Sequence, residues 1–259
     1  MILEDFHVHT SYCDGKNTPE ELVRAAIGLN MKKIGLVHHS YTAFDESYCI
    51  KKSGEEAFFN EIQCLRRTYG DRIEILCGIE QDIFSDMPKI NYDYVIGSVH
   101  YIEADGKYYP VDESTEVFKK VAANVFGGDY LAFAERYFET VSAAADKIHP
   151  DIIGHFDLIS KFNEGGTYFD ENDKRYVNAA FCAAEKLLKY NVLFEVNTGA
   201  VSRGYRSVFY PSRRIAEKIA KSGGKFILSS DAHTKENICF DFEKAENFIS
   251  ACGGALQKL

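Results

Sequence analysis

The chain reads as an α/β protein, a TIM-like barrel of seven β/α units. Three observations predict this. Seven short apolar runs alternate with amphipathic helical patterns along the whole length, and strands joined by helical crossovers pair in parallel. Residues of metal-ligating type recur at the ends of the runs, as they would where a closed barrel gathers the C-terminal ends of its strands. Finally, 259 residues, 46% hydrophobic with only 5 Pro, suit one large compact domain over residues 1–259, within the range that α/β barrels reach.

The first run is Met1–His9. Thr18-Pro19-Glu20-Glu21 follows as N-cap, first-turn proline and capping-box glutamate of a helix reaching about Asn30. Lys33–Val37 is the second run and leads into His38-His39. Ser53 and Glu56 carry another capping-box signature, with Ala57, Phe58, Ile62, Leu65 and Tyr69 behind them at helical spacing. Ile73–Ile79 is the third run, ended by Glu80, and Tyr92–Val99 the fourth, ended by His100. A polar, Gly-containing loop over Glu103–Asp112 leads to a helix from about Ser114, broken by Gly127-Gly128. Asp129 caps the next helix, whose Leu131, Ala134, Val141 and Ala145 share a face. Asp151–Gly154 is the fifth run, ending in His155, with a helix from about Asp170 to Tyr190 after it. Val192–Val196 is the sixth, with Glu195 and Asn197 at its end. A loop bearing Arg203 and Arg206 passes Pro211 into a helix that stops near Gly223-Gly224. Phe226–Ser230 is the seventh run, ending in Asp231-Ala232-His233, and a last helix spans about Phe242–Ala251.

Composition bounds the function. The seven cysteines are scattered without a Cys-x-x-Cys pair, which argues against a disulfide framework or thiolate zinc site and for the reducing cytoplasm. The N-terminal Met-Ile-Leu-Glu-Asp lacks a basic segment and a long apolar stretch, so it does not read as a signal peptide. No window approaches 18 uncharged apolar residues, so no membrane span is expected. A net charge of −9 disfavours a nucleic-acid partner, because phosphate-backbone binding needs a basic face. It leaves room for a small anion held by a local positive site. Sixteen tyrosines and nineteen phenylalanines without tryptophan are mostly core.

The chemistry concentrates in the histidines. His7 and His9 lie two apart on a strand, which puts both imidazoles on one face. Imidazole is the commonest side-chain metal ligand. Six of the eight histidines (7, 9, 39, 100, 155 and 233) fall at strand ends, together with Glu80 and Asp231, and Asp14 follows in the first loop. Any one strand-end histidine is ordinarily a hydrogen-bonded structural group. Nearly all of them on one rim point instead to a metal centre. Nine ligand-type residues exceed the needs of one tetrahedral ion and suit two or three clustered ions, with a carboxylate such as Glu80 able to bridge a pair. His38 should point away from its neighbour His39 along the strand. His149 before Pro150 reads as a capping or surface group, and Cys13, though near the site, as a small packed residue.

These residues resemble the motif set of the polymerase-and-histidinol-phosphatase (PHP) superfamily: His7-Val8-His9, Asp14, His39, Glu80, His100, His155 and Ser230-Asp231-Ala232-His233. Within it the chain looks most similar to the monofunctional histidinol-phosphate phosphatases. Gly97-Ser98-Val99-His100, Gly154–Ile159, Glu195–Thr198, Arg203 and Tyr210-Pro211-Ser212 carry that likeness. The resemblance implies a distorted seven-unit barrel with a trinuclear metal centre, and imidazole-plus-carboxylate sites accept zinc, iron and manganese. His7, His9, Glu80 and Asp231 would hold one ion. Glu80, His100 and His155 would hold a second, with Glu80 bridging. Asp14, His39 and His233 would hold the third. Relatives often carry an acidic residue where this chain has His38.

Three divalent ions outweigh Asp14, Glu80, Asp231 and a bridging hydroxide, so a dianionic phosphate monoester would balance the site. The expected activity is hydrolysis of L-histidinol phosphate in histidine biosynthesis, by in-line attack of a metal-bridging hydroxide. Glu80, Asp231 and Arg203 are the expected catalytic residues. Arg203 is also the first candidate for a phosphate clamp, since a guanidinium pairs bidentately with phosphoryl oxygens. Lys161 and Arg206 are further substrate-binding candidates. Tyr101, Tyr108 and Tyr109, flanking or within the acidic 103–112 loop, are candidates to receive a cation and a ring. Asp157 and Asn197 are expected beside His155 and Glu195 as supporting groups. The alternatives are a phosphatase for another small ester, a nucleotide or phosphotyrosine, a nuclease module, and a metal-binding interaction module without turnover. Oligomeric state is not legible.

Overall fold

The computed structural model describes residues 3–257 and 259, so Met1 and Ile2 of the first expected run lie outside the described residues. Ten strands are present among these residues: β1 (Glu4–His9), β2 (Lys33–Val37), β3 (Glu74–Asp82), β4 (Tyr94–Ser98), β5 (Tyr101–Ala104), β6 (Lys107–Pro110), β7 (Ile152–Ile153), β8 (Leu193–Asn197), β9 (Lys225–Ser229) and β10 (Ala255–Leu256). Eight form one sheet in the order β1-β2-β3-β4-β7-β8-β9-β10, every pairing parallel. The sheet curls until β1 meets the segment just beyond β9. His9 N–H donates to the Ala232 carbonyl at 2.8 Å, and Ala232 N–H donates to the His7 carbonyl at 3.1 Å. All seven expected runs are strands, and β10 adds an eighth beside the start of β9.

β1 carries a register shift between Asp5 and Val8, and the shift has a packing consequence. Phe6 and Val8 would otherwise share a face. Instead Phe6 packs with Val37, Tyr94, Ile96, Ile152 and Ile227, while Val8 joins Leu22, Val23, Phe58 and Ile62 from the helices. Asp5, fully buried, holds the irregularity by accepting the N–H groups of His7, Ser230 and Cys239.

The helices are α1 (Pro19–Gly28), α2 (Glu55–Tyr69), α3 (Thr115–Phe126), α4 (Tyr130–Ser142), α5 (Ala144–Ile148), α6 (Lys174–Leu187), α7 (Gly199–Ser202), α8 (Arg213–Lys221) and α9 (Phe242–Ala251). Thr18 and Glu21 close the expected capping box, a device of about 1 kcal/mol. Ser114 and Asp129 cap α3 and α4 as read from sequence. The Ser53–Glu56 box does not form. A turn closed by Gly54 N–H on the Lys51 carbonyl makes Gly54 the N-cap instead. The helix expected from Asp170 to Tyr190 is shorter, because Asp173 caps it. Ala145 lies on α5, beyond a break at Ala143, rather than on α4.

The 103–112 stretch is no irregular loop. β5 and β6 form an antiparallel hairpin turning at Asp105-Gly106, both at positive φ, the conformation such a two-residue turn requires. His149 caps α5 in the left-handed conformation and is exposed, as expected.

Candidate metal centre

Glu80 is the hub of the site. β3 runs two residues past it, so its carboxylate rises in the middle of the rim rather than at a strand end. It is buried, and five histidines surround it. Oε2 lies 3.3 Å from His7 Nε2, 3.2 Å from His9 Nε2 and 2.8 Å from His39 Nδ1. Oε1 lies 3.3 Å from His100 Nε2 and 2.8 Å from His155 Nε2. The two oxygens therefore face two different sets of imidazoles.

The remaining acids complete the cluster. Asp231 Oδ1 stands 3.5 Å from His9 Nε2, 3.8 Å from His7 Nε2 and 3.6 Å from His233 Nδ1. Asp231 has φ of 50°, and Asp tolerates the left-handed region better than most residues. Asp14, at the outer rim, reaches His39 Nε2 at 3.5 Å and His233 Nε2 at 3.2 Å. The rings of His39 and His233 both stack on His9 at 4.2 Å between centroids. All nine sequence-chosen ligand residues thus converge. Three sets bring their donor atoms close enough to share an ion: His7, His9 and Glu80; His39, Glu80 and His100; and His9, Asp14, His39 and His233. His9 belongs to two of these sets, whereas the resemblance assigns it to one.

The donor chemistry fits divalent cations. His7 Nε2 and His9 Nε2 face each other at 3.0 Å, where two bare lone pairs repel unless a cation or proton lies between. Glu80 Oε2 and His39 Nδ1 are buried and only 2.8 Å apart, yet lack hydrogen-bond geometry. Buried polar atoms ordinarily find partners, and an ion between such atoms would satisfy them. Nitrogen and carboxylate donors of this kind suit zinc, iron or manganese.

Electrostatics agree. Burial favours neutral forms throughout the cluster, but mutual attraction outweighs it for most members. Glu195, Glu80 and Asp231 hold His7 well above the usual imidazole range, and Glu80 with Asp82 does the same for His100. His39, His7 and His100 hold Glu80 well below the usual carboxylate range, and Arg203, His7 and His233 hold Asp231 there. His9 is pushed the other way, well down, by burial and by His39 and His233. The site is built for positive charge among fixed anions.

Two carboxylates that the sequence reading did not select also grip the histidines. Glu195 Oε1 accepts from His7 Nδ1 at 2.6 Å, and its Oε2 accepts the His155 N–H at 3.0 Å and Asn197 Nδ2 at 3.0 Å. Asp82 Oδ2 accepts the His100 N–H at 2.8 Å and faces His100 Nδ1 at 3.3 Å. A same-face spacing of two, Glu80 to Asp82 and Glu195 to Asn197, was the available signal. Asp157, expected beside His155, accepts the Ser212 N–H instead. His38 turns away from the centre, hydrogen-bonded to Tyr92 and edge-on to Phe58. Cys13 Sγ lies 3.4 Å from His9 Nδ1, and burial pushes its thiol up to about 12.

The cluster opens into a cavity of about 560 Å3. Arg203 lines it, half-buried, donating to Asp231 Oδ2 at 2.9 Å and to the Asp231 carbonyl at 2.8 Å. Lys161 lines it too, donating to Asp112 at 2.7 and 3.0 Å. Arg206 does not. It is buried away from the cavity lining, donating to both oxygens of Glu171 and to the Ser160 carbonyl. Of the three tyrosines, Tyr101 lines the cavity and donates to Asp45. Tyr108 is exposed on the hairpin, stacked on Phe44 at 4.3 Å.

The PHP domain family profile matches residues 5–199. A Schizosaccharomyces pombe protein named probable histidinol-phosphatase is 30% identical over 208 residues, 76% of this chain and 66% of that protein's length. A Deinococcus radiodurans protein of the same name is 28% identical over 96% of this chain and 94% of its own. The fold matches that of a histidinol phosphate phosphatase from Lactococcus lactis, solved with zinc, L-histidinol and phosphate. Its TM-score is 0.71 at 19% identity, over 98% of this chain and 95% of that one.

Proposed function

The chain belongs to the PHP domain family, and from that premise we propose that it is a histidinol-phosphatase, a divalent-metal-dependent hydrolase that converts L-histidinol phosphate and water to L-histidinol and phosphate. The names of its relatives support the substrate. One observation carries the chemistry: five imidazoles and a central carboxylate converge on one buried point that opens into a cavity flanked by Arg203 and Lys161.

His7, His9, Asp14, His39, Glu80, His100, His155, Asp231 and His233 would hold the ions, three in number. Bound there, divalent ions polarise phosphoryl oxygens and acidify a water molecule for attack on phosphorus. The protein's own part is positional. Arg203, tethered to Asp231, keeps further N–H donors for the phosphoryl oxygens. Lys161 lines the same cavity, its ammonium held by Asp112.

The cavity also favours a cationic leaving group. Asp45 and Glu113 line it beside Tyr48 and Tyr101, while Asp112 is paired with Lys161. An amine and an imidazole suit that acidic, aromatic wall, whereas a nucleotide or polynucleotide would bring further negative charge against it. This observation ranks histidinol phosphate above the other phosphate esters.

The test is phosphate release from histidinol phosphate beside a panel of monoesters, with the metal-replete protein, after chelation, and with His9→Ala. Strong preference for histidinol phosphate, abolished by both treatments, is expected. Metal-dependent release without preference would remove the substrate assignment. Metal binding without release from any ester would remove the phosphatase.

A further inference from the structure

Glu195 touches both ends of the cluster, and nothing in the reaction described above uses it. The side chain rises from β8 and is fully buried. Its two oxygens do different work. Oε1 lies 2.6 Å from His7 Nδ1, while Oε2 accepts the backbone N–H of His155 and the side-chain amide of Asn197. His7 faces Glu80 Oε2, whereas His155 faces Glu80 Oε1. One carboxylate therefore spans the two halves of the centre from behind.

We propose that Glu195 is a positioning residue that locks the His7 ring as a donor through Nε2 and fixes the His155 backbone, so that the ion sites on either side of Glu80 form and fail together. The inference rests on the metal-dependent reading of the site. An ionised carboxylate only accepts hydrogen bonds, so His7 Nδ1 must carry the proton and Nε2 is left bare toward Glu80 and His9. A partner of this kind behind a ligating imidazole fixes tautomer and ring orientation. His7, His155 and Asn197 all donate to Glu195, so its charge is held although it is buried. A neutral amide cannot replace it. Glutamine has one accepting oxygen and one donating nitrogen, so it serves either His7 or His155 and opposes the other.

The experiment uses zinc as the probe, in wild type, Glu195→Gln and Glu195→Asp. Zinc is titrated against a competing chromophoric chelator and the ions retained per chain are counted. Nitrogen NMR of the zinc-loaded proteins reads which nitrogen of His7 carries the proton. Melting of each protein, followed by circular dichroism, verifies the fold. A 10–100-fold loss of affinity is expected for Glu195→Gln, the usual scale for removing such a partner. The loss should fall on more than one ion at once, with a mixed tautomer at His7. Glu195→Asp keeps the charge and should recover the tautomer and part of the affinity. A folded Glu195→Gln protein that binds zinc as wild type does, with Nδ1 of His7 protonated, overturns the proposal. So does loss of a single ion, or a Glu195→Asp protein no better than the glutamine variant. A wild-type protein that retains no zinc overturns instead the reading beneath it.

Discussion

Asp82 holds His100 twice, accepting its backbone N–H at 2.8 Å and facing its ring Nδ1 at 3.3 Å. The same carboxylate accepts the Phe84 N–H at 2.8 Å through its other oxygen. It therefore shapes the β3 end and aims the His100 ring at Glu80 in one arrangement. Asp82→Ala leaves two N–H groups without this partner, at about 1–3 kcal/mol each where they are buried. The His100 ring also loses its orienting anion, an effect of about 10–100-fold on metal affinity or activity. The check is kcat/KM at saturating metal beside urea unfolding. Unchanged catalysis in a folded variant would show that His100 needs no such partner.

Arg203 and Arg206 look alike in the sequence, and the fold separates them. Arg203 lines the cavity beside His233, whereas Arg206 is buried against Glu171. Arg203→Ala removes charge-assisted hydrogen bonds to phosphate, about 1.5–3 kcal/mol each, and should lower kcat/KM roughly ten- to a hundredfold with most of the fold's stability retained. Arg206→Ala breaks a buried pair and should cost about 3 kcal/mol of stability. The catalysis of the remaining folded protein should be close to wild type. Phosphate release and chemical denaturation on both variants test the crossover, and the reverse pattern would exchange their roles.

Why these distinctions escape a linear reading is physical. The seven strands and nine convergent residues were legible because a strand-end position is set by local pattern, and histidines are few enough for their placement to carry information. Asp82 was not, and Glu195 was legible as a strand-end residue but not as the partner of His7, since a carboxylate acquires its role only from the strand that faces it. The β5–β6 hairpin left a readable sign at Asp105-Gly106, but its strands are only four residues each and their buried and exposed residues come in pairs rather than alternating. Ser53 and Glu56 had the spacing of a capping box, and one extra turn at Lys51–Gly54 displaced the helix start. Arg206 carried no local sign at all that Glu171, on a separate stretch of chain, would claim it.

His38 gives a pH prediction with a definite sign. Burial, with the charge of His39 adding to it, brings its imidazole down to about 4 in the fold, against about 6.5 in the unfolded chain. The folded ring is neutral. As pH falls below 6.5 the unfolded chain takes up the proton first, so stability is lost progressively until about pH 4, where the folded ring titrates as well. The whole window is on the order of 3 kcal/mol. His38→Gln cannot titrate and keeps polar atoms near Tyr92. Unfolding free energy measured from pH 7 to pH 4 should therefore fall less steeply in the variant than in wild type. The cluster histidines contribute to both curves and cancel in the difference. Parallel curves would mean that the folded protein protonates His38 as readily as the unfolded chain does.

Gly199 tests how tightly the Asp231–Arg203 pair is placed. It opens α7 at the end of β8, and a Cβ there would stand 2.9 Å from Asp231 Cβ, Asp231 Oδ2 and Arg203 Nη2. Real Cβ atoms essentially never come so close, so Gly199→Ala must displace one of the two side chains. Overpacking of this kind costs about 1–3 kcal/mol. The displaced groups belong to the proposed centre and phosphate clamp, so activity should suffer more than stability, with kcat/KM falling at least roughly tenfold because geometry rather than mere presence governs the reacting groups. Gly28, in the last turn of α1, has open space where its Cβ would go. Gly28→Ala should leave activity unchanged and raise stability slightly, by up to about 1 kcal/mol, through helix propensity. Measuring kcat/KM and unfolding free energy on both variants separates a general intolerance of alanine from a local clash. If Gly199→Ala folds and turns over as wild type does, the pair has slack, and Arg203 cannot depend on Asp231 for its position.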